Sequence, residues 1–221
     1  MTMKKIMFND KFSLTQAVLD GRKTMTRRII EIDECVRFPI IRFRPLENWE
    51  KKVVNPNYVF NGHVYAVYNE LDLLCHLVKP RYEIGEVVAI AQSYKDSGYS
   101  PDSLDRHPKD LSIRGLMKNS AGWNNKMFVK SYACKHHIKI TNVKVERLQD
   151  ISDEDCLKEG IIHAYTDNNG IKRYHTPHTK RGYLSTDVAQ QAFSFLIDKV
   201  SGKGTWESNP FVFAYEFVLV D

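Results

Sequence analysis

Ser13-Leu14-Thr15-Gln16-Ala17-Val18-Leu19-Asp20-Gly21-Arg22-Lys23-Thr24-Met25-Thr26-Arg27-Arg28 carries a helix, its stop and a burst of cations in one short span. Ser13 stands as an N-cap with Gln16 at N3, the pattern of a capping box. Leu14, Ala17 and Val18 fall on one helical face, and Gly21 supplies the stop. A lysine, two threonines and three arginines then leave the helix at a residue where the backbone turns freely. Such a segment grips a phosphate or polarises a polar ligand, whereas a purely structural segment has little use for so many cations.

Outward from this stretch, short strands dominate. Residues 4–8 alternate as a brief strand, and 36–44 alternate around Pro39, which marks an edge strand. Tyr58-Val59-Phe60, Asn61-Gly62 and then His63 to Tyr68 read as a hairpin with a tight turn, to which Leu71 to Val78 can pair. Gly85 opens a strand running from Glu86 to Tyr94. Residues 95–126 are polar and broken by Gly98, Pro101, Pro108, Gly115 and Gly122, a long loop. Ile138, Ile140, Val143, Val145 and Leu148 give one or two strands, and the phase shift at Thr141-Asn142 marks a bulge or bend.

Ser152 caps a second helix whose Asp153, Glu154 and Asp155 suit the positive end of its dipole, and Gly160 ends it. Asp167-Asn168-Asn169-Gly170 turns between two polar strands. A third helix spans Thr186 to Val200, with Ala189, Phe193, Leu196 and Val200 on one face. Asn209 to Val220 is almost wholly apolar and reads as a central strand buried on both sides. The sum is an α+β chain, a mixed β-barrel of short strands punctuated by three helices.

The chain has 221 residues, 43% of them hydrophobic and 11% aromatic, which supports a real core in a single domain. Its net charge of +5 is a mild excess. Lys and Arg cluster at 22–28, 37–52, 126–139 and 172–181, while acids concentrate at 146–159, so a basic surface facing an anionic partner is expected. Cys35, Cys75, Cys134 and Cys156 form no CxxC pair, which fits free thiols in a reducing cytoplasm. The N-terminus lacks the apolar run of a signal peptide, and no stretch approaches the roughly 20 apolar residues of a membrane span.

Histidines invite a metal reading that the spacing opposes. His136 and His137, close to Cys134, point to opposite faces of a strand, His175 and His178 lie three apart, and the spacing matches no zinc signature, so neither a metal nor a cofactor is expected. His175, His178, Lys172, Arg173, Lys180 and Arg181 read as a solvated basic loop able to touch phosphates. Tyr94, Trp123, Trp206, Tyr65 and Tyr68 are candidates for stacking on bases. Phe211, Phe213, Tyr215 and Phe217 read as core, Trp206 as a plug at the barrel end, and Trp123 as the best exposed candidate.

Three separated segments together resemble the ASCH domains of the PUA-like superfamily, in its longer phage and bacterial form. They are Leu19 to Arg28, then Val143-Lys144-Val145-Glu146-Arg147-Leu148-Gln149-Asp150-Ile151-Ser152-Asp153-Glu154-Asp155 continuing to Glu159-Gly160-Ile161, and Trp206-Glu207-Ser208-Asn209-Pro210-Phe211-Val212-Phe213 ending in Tyr215-Glu216-Phe217. The match covers about half of the chain and leaves 31–80, 95–125 and 163–185 as insertions. One position departs: longer members carry an Arg-Glu pair after the Gly-Asp strand start, where this chain has Ala91 and Gln92.

The resemblance implies a closed barrel with a cleft lined by the first motif, binding RNA or a modified nucleotide. One branch of the family removes the acetyl group from N4-acetylcytidine. Carried over position by position, that branch's active residues are Lys23, Thr26 and Glu159. Arg22, Thr24, Arg27, Arg28 and Tyr94 are then the ligand- or nucleic-acid-binding residues. Some ASCH proteins are thought to cleave RNA, which adds a second enzyme reading.

Amide hydrolysis needs a nucleophile, a proton acceptor and stabilisation of an oxyanion. Thr26 is the candidate nucleophile. Lys23 can take its proton only when neutral, so burial and nearby cations must lower its pKa from about 10.4. Glu159 suits the role of proton shuttle to the leaving amine, or of hydrogen-bond partner to the base. On a regular strand Lys23 and Thr26 face opposite sides, so they meet only if the backbone bends between them. The competing reading is structural: Lys23 and Arg28 pair with Glu159, Asp155 or Glu146 to tie helix to barrel.

Overall fold

The computed structural model describes residues 3–32, 39–47, 49–51, 62–97, 124–177 and 184–220. At its centre runs β11 (Phe211–Val220), antiparallel to β7 (His137–Arg147) on one side and β2 (Met25–Ile29) on the other. β6 (Val87–Ile90) continues the sheet beyond β7, and β1 (Lys5–Ile6) lies parallel to β6, giving the order β1-β6-β7-β11-β2. Val212 to Tyr215 are buried in succession, as expected for a strand covered on both faces, but beyond Phe217 the strand comes to the surface and Val218 is exposed.

The phase shift in β7 is a bulge. Glu216 lies opposite Asn142 and Phe217 opposite Ile140, so Thr141 has no partner in the ladder. The extra residue lets Ile140 and Val143, three apart in sequence, both enter the core. Without it a strict two-residue period would turn one of them outward.

Among the described residues the sheet is accompanied by α1 (Leu14–Leu19), α2 (Tyr94–Ser97), α3 (Asp153–Lys158), α4 (Ala189–Ser201) and α5 (Thr205–Ser208). The start of α3 matches its sequence signals, because the Ser152 hydroxyl accepts from the Asp155 N–H. The capping box of α1 does not form. Ser13 has φ 52° and makes no side-chain cap, because it is the left-handed hinge between a 3-10 turn at Asp10–Phe12 and the helix. Gln16 donates instead to Asp20. α4 begins three residues later than expected: Thr186 belongs to a strand, and its hydroxyl accepts from the Val188 N–H ahead of the first turn.

Two expected insertions build small sheets of their own. β3 (Ile40–Pro45), β4 (Tyr65–Asn69) and β5 (Leu74–Val78) form one; β8 (Ile162–Thr166), β9 (Lys172–His175) and β10 (Ser185–Thr186) form the other. Pro39 precedes the edge strand β3, and Leu71 to Val78 does supply the partner of β4. The hairpin arm at 58–60 lies outside the described residues, and the two ladders of β4 go to β3 and β5. The turn at Asp167 to Gly170 joins β8 and β9, with Asp167 Oδ1 accepting from Asn169 and Ile171. The first small sheet packs on the large one through Phe43 on Phe211 and Tyr65 on Phe213. Arg147 adds a bridge, donating to Ile40 O while stacking on the Phe211 ring.

The strand expected over Glu86 to Tyr94 ends at Ile90, and Tyr94 opens α2. Trp206 packs edge-on against Phe193 of α4. Trp123, His178, Lys180, Arg181 and Cys35 lie outside the described residues. Among those described, the end strands β1 and β2 share no ladder, and a side chain spans them: Arg28 Nη2 donates to Met7 O at 2.7 Å. No helix among the described residues is long and apolar enough to cross a membrane.

Tyr215 is fully buried and its hydroxyl accepts from the Arg81 N–H at 3.0 Å. Burial pushes its phenol up to about 12. Tyr215→Phe strands that N–H and should cost about 1–2 kcal/mol in a urea unfolding experiment. An unchanged midpoint would show that the bond carries no weight in the fold.

Candidate functional site

The site begins where α1 stops. Gly21 takes φ 72°, and the Lys23 N–H returns to Ala17 O, so Lys23 sits in the turn ahead of β2. The strand period starts only at Met25, which removes the opposition between Lys23 and Thr26. Both line one small cavity of about 50 Å³, with Glu159, Arg27 and Arg28 around it. Met7, Phe8 and Asn9 after β1, Leu14 of α1, and Phe193, Leu196, Ile197, Val200 and Ser201 of α4 complete the wall. Such a volume holds a few waters or one small chemical group.

Glu159 reaches this cavity because α3 ends there. Its N–H donates to Asp155 O at the C-cap, and Gly160 follows at φ 106°. A Cβ at Gly160 would lie 3.3 Å from the Leu14 side chain and 3.8 Å from that of Lys23, so glycine lets the chain pass close to the lysine. The Lys23 ammonium donates to Glu159 Oε2 at 2.6 Å and to Glu159 O at 2.7 Å. Lys23 is 2% exposed and Glu159 5%.

Arg27 takes the other oxygen of that carboxylate. Its Nη1 lies 3.2 Å from Glu159 Oε1, its Nη2 3.0 Å from Asp155 Oδ2, and its Nε 2.9 Å from Glu146 Oε1. Lys144 bridges Asp155 Oδ2 at 2.9 Å and Glu146 Oε2 at 3.0 Å. With Lys158 3.7 Å from Asp155 Oδ1, four cations and three carboxylates join β2, β7 and α3 in one network, and Glu154, 3.2 Å from Lys158, balances the fourth. The expected structural pairing of helix to sheet is present, but with Arg27 in the place given to Arg28. Register explains the exchange. Arg27 lies opposite Ala214 and next along from Lys144 in the β2-β11-β7 ladder, whereas Arg28 lies opposite Phe213 on the other face.

The electrostatics follow from burial. Burial is the largest influence on Lys23 and pushes its ammonium below the usual lysine value; Glu159 opposes this, and Arg28 and Arg27 reinforce it. Burial also works against the charge of Arg27, but Glu159, Glu146 and Asp155 outweigh it and raise the arginine further. Asp155 is held below its ordinary value: burial raises it, while Lys144 and Arg27 lower it by more. The buried Cys156 thiol is pushed up to about 12, chiefly by desolvation, so it is an inert core residue.

Not every expected ligand residue comes to the cavity. Arg22 is exposed and pairs with Asp20 at 2.9 Å. Thr24 uses its N–H on Lys158 O and its carbonyl on Phe217 N. Tyr94 is 3% exposed in a separate cluster with Ala89, Val129, Ala133 and Cys134, its hydroxyl donating to Phe128 O, so it offers no stacking face. Tyr65 is spent on Val143 O in the core. Sequence reasoning named Glu146 and Asp155 as alternative partners of the cations but missed Lys144 and the joining of all of them in one network, for which the acid concentration at 146–159 was the available signal. It missed Phe8 and the α4 wall because an apolar stripe does not say what it faces. Among the described residues no cluster of three His, Cys, Asp or Glu side chains is arranged to hold a metal ion.

No family model, curated protein or solved structure matches this chain.

Asp155 stabilises the fold as an anion. Because its folded pKa lies below the ordinary 3.8, its contribution is full above that value and is lost as pH falls through the lower folded-state value. The difference in unfolding free energy between the parent and Asp155→Asn should therefore be largest near neutral pH and shrink below about pH 4. A difference independent of pH would remove Asp155 from the network.

Proposed function

We propose that this chain is a PUA-like ASCH domain whose cavity at the α1–β2 junction takes the acylated amino group of a modified cytidine and hydrolyses its amide. The observation that carries this reading is the meeting of Glu159 with Lys23 and Thr26, both far from it in sequence, on one small, partly open cavity, with the lysine depressed toward its neutral form. The sheet order and the Arg28 bridge between its end strands support the barrel part of the reading. A cavity of about 50 Å³ suits a short acyl amide, with the base and sugar at its mouth. The apolar α4 wall suits the acyl methyl and limits water.

In this reading Thr26 Oγ attacks the acyl carbonyl while the neutral Lys23 amine takes the hydroxyl proton. Arg28 donates to the developing oxyanion. Glu159, fed by the lysine ammonium 2.6 Å away, returns the proton to the departing cytosine amine. Water then releases the acid from Thr26, with the lysine again as base.

One observation favours a second reading, binding of RNA without chemistry. Arg28 lines the cavity, half-buried, and among the described residues it has no carboxylate within ion-pair distance. One such cation fits a phosphate. Lys23 and Arg27 do not add to it, since their charge is taken up by Glu159, Glu146 and Asp155.

Incubation with N4-acetylcytidine, free and within RNA, separates the two. Mass spectrometry should detect cytidine from the parent, none from Thr26→Val, and some from Thr26→Ser, with salt of little consequence for the free nucleoside. No product from the parent on either substrate would overturn the hydrolase. RNA affinity that falls steeply with salt and with Arg28→Ala would then establish the binding module.

A further inference from the structure

Arg27 lies next to the candidate nucleophile yet is directed at carboxylates on every side. Its side chain is 1% exposed, and its guanidinium contacts Glu159, Asp155 and Glu146. Nη1 also lies 3.1 Å from Met25 Sδ, and the Phe193 ring closes over the group at 6.0 Å. Planar and rigid, the fork leaves Glu159 little freedom to rotate. Glu159 is consequently shared: one oxygen belongs to Arg27 and the other to Lys23.

We infer that Arg27 is the positioning residue of the cavity: by holding Glu159 Oε1 it leaves Lys23 a single carboxylate oxygen and keeps a second positive charge beside the lysine. Glu146 and Asp155 hold Arg27 in place, and Lys144, whose side chain is 41% exposed, balances them at the solvent end. This rests on the catalytic reading for its purpose but not for its test.

The groups that act on the Lys23 amine can be named from each element around it. β2 supplies Arg27 and Arg28, and the end of α3 supplies Glu159. The segment after β1 contributes the Phe8 ring, 5.9 Å from the ammonium, and Asn9; α1 contributes Leu14; α4 contributes four apolar residues and Ser201. Beside burial, which is the largest influence, two cations and one shared anion act on its protonation. Removing Arg27 takes away a repelling charge, returns the whole carboxylate to Lys23 and leaves Glu146 and Asp155 less neutralised. All three changes favour the ammonium. Removing the charge of Glu146 does the reverse, since Arg27 then bears more fully on Glu159.

The test follows the Lys23 side chain of the full-length protein by carbon NMR across a pH titration, in four forms. Arg27→Gln should raise its midpoint by about one pH unit, within the range of a single nearby charge. Arg27→Lys keeps the charge and should return the midpoint toward that of the parent. Glu146→Gln should lower it. A midpoint unmoved or lowered in Arg27→Gln overturns the inference. Where Arg27→Gln does not fold, Glu146→Gln decides, and an unmoved or raised midpoint there overturns it equally. The hydrolase reading is judged separately: product release from N4-acetylcytidine should lose rate at neutral pH in Arg27→Gln and regain it in Arg27→Lys. Shifted midpoints in a chain that releases no cytidine would uphold the role of Arg27 and end the hydrolase.

Discussion

The carboxylate of Glu159 is the point on which the site depends. It is buried, so its charge must be met in full, and it is met from two sides, by Lys23 and by Arg27. Removing either partner of a buried pair leaves an uncompensated charge that typically costs about 3–5 kcal/mol. That constraint reaches well beyond the cavity. The end of α3 must lie against the turn before β2, Gly160 must follow without a side chain, and Ser152 must start α3 where its last residue arrives at Lys23. Thr24 N–H to Lys158 O draws the same two segments together through the main chain.

The sheet prepares this meeting. β11 holds β2 and β7 on either side, so Arg27, Ala214 and Lys144 form one cross-strand row. The small Ala214 between two long cations leaves room for Glu146 and Asp155 to gather them. On the opposite face the bulge at Thr141 restores Ile140 and Val143 to the core, and Tyr215 and Phe213 fill it. On β2 itself Arg27 lies on the face of the ion-pair network and Thr26 and Arg28 on the opposite one, and the cavity gathers residues of both faces.

Low polarity around the cavity makes its few polar groups matter. Phe8, Leu14 and the α4 residues exclude water from Lys23, which weakens the ammonium and strengthens every remaining hydrogen bond. The same enclosure limits what can enter. A basic segment that reads in sequence as a grip for polyanions is, once folded, largely neutralised by its own acids. Arg28 is the exception, directed at a main-chain carbonyl.

Local chemistry was legible wherever neighbours in sequence decide it: the stop at Gly21, the Ser152 cap, the turn at Asp167 to Gly170, the bulge at Thr141 and the doubly buried run in the final strand. Lys23, Thr26 and Glu159 could also be singled out as a set, through the ASCH resemblance and not through spacing. What the sequence could not decide is which groups share a charge. Arg27 and Arg28 are adjacent cations with the same donors. Only the register against Ala214 and Phe213 sends one into the carboxylates and the other across the sheet ends. Tyr94 likewise reads as a candidate for stacking on a base until α2 folds it into its own cluster. Ser13 reads as a cap until a preceding turn makes it a hinge. In each case the deciding partner lies on another element. Burial and pairing there come from long-range packing, which a local pattern of residues does not contain.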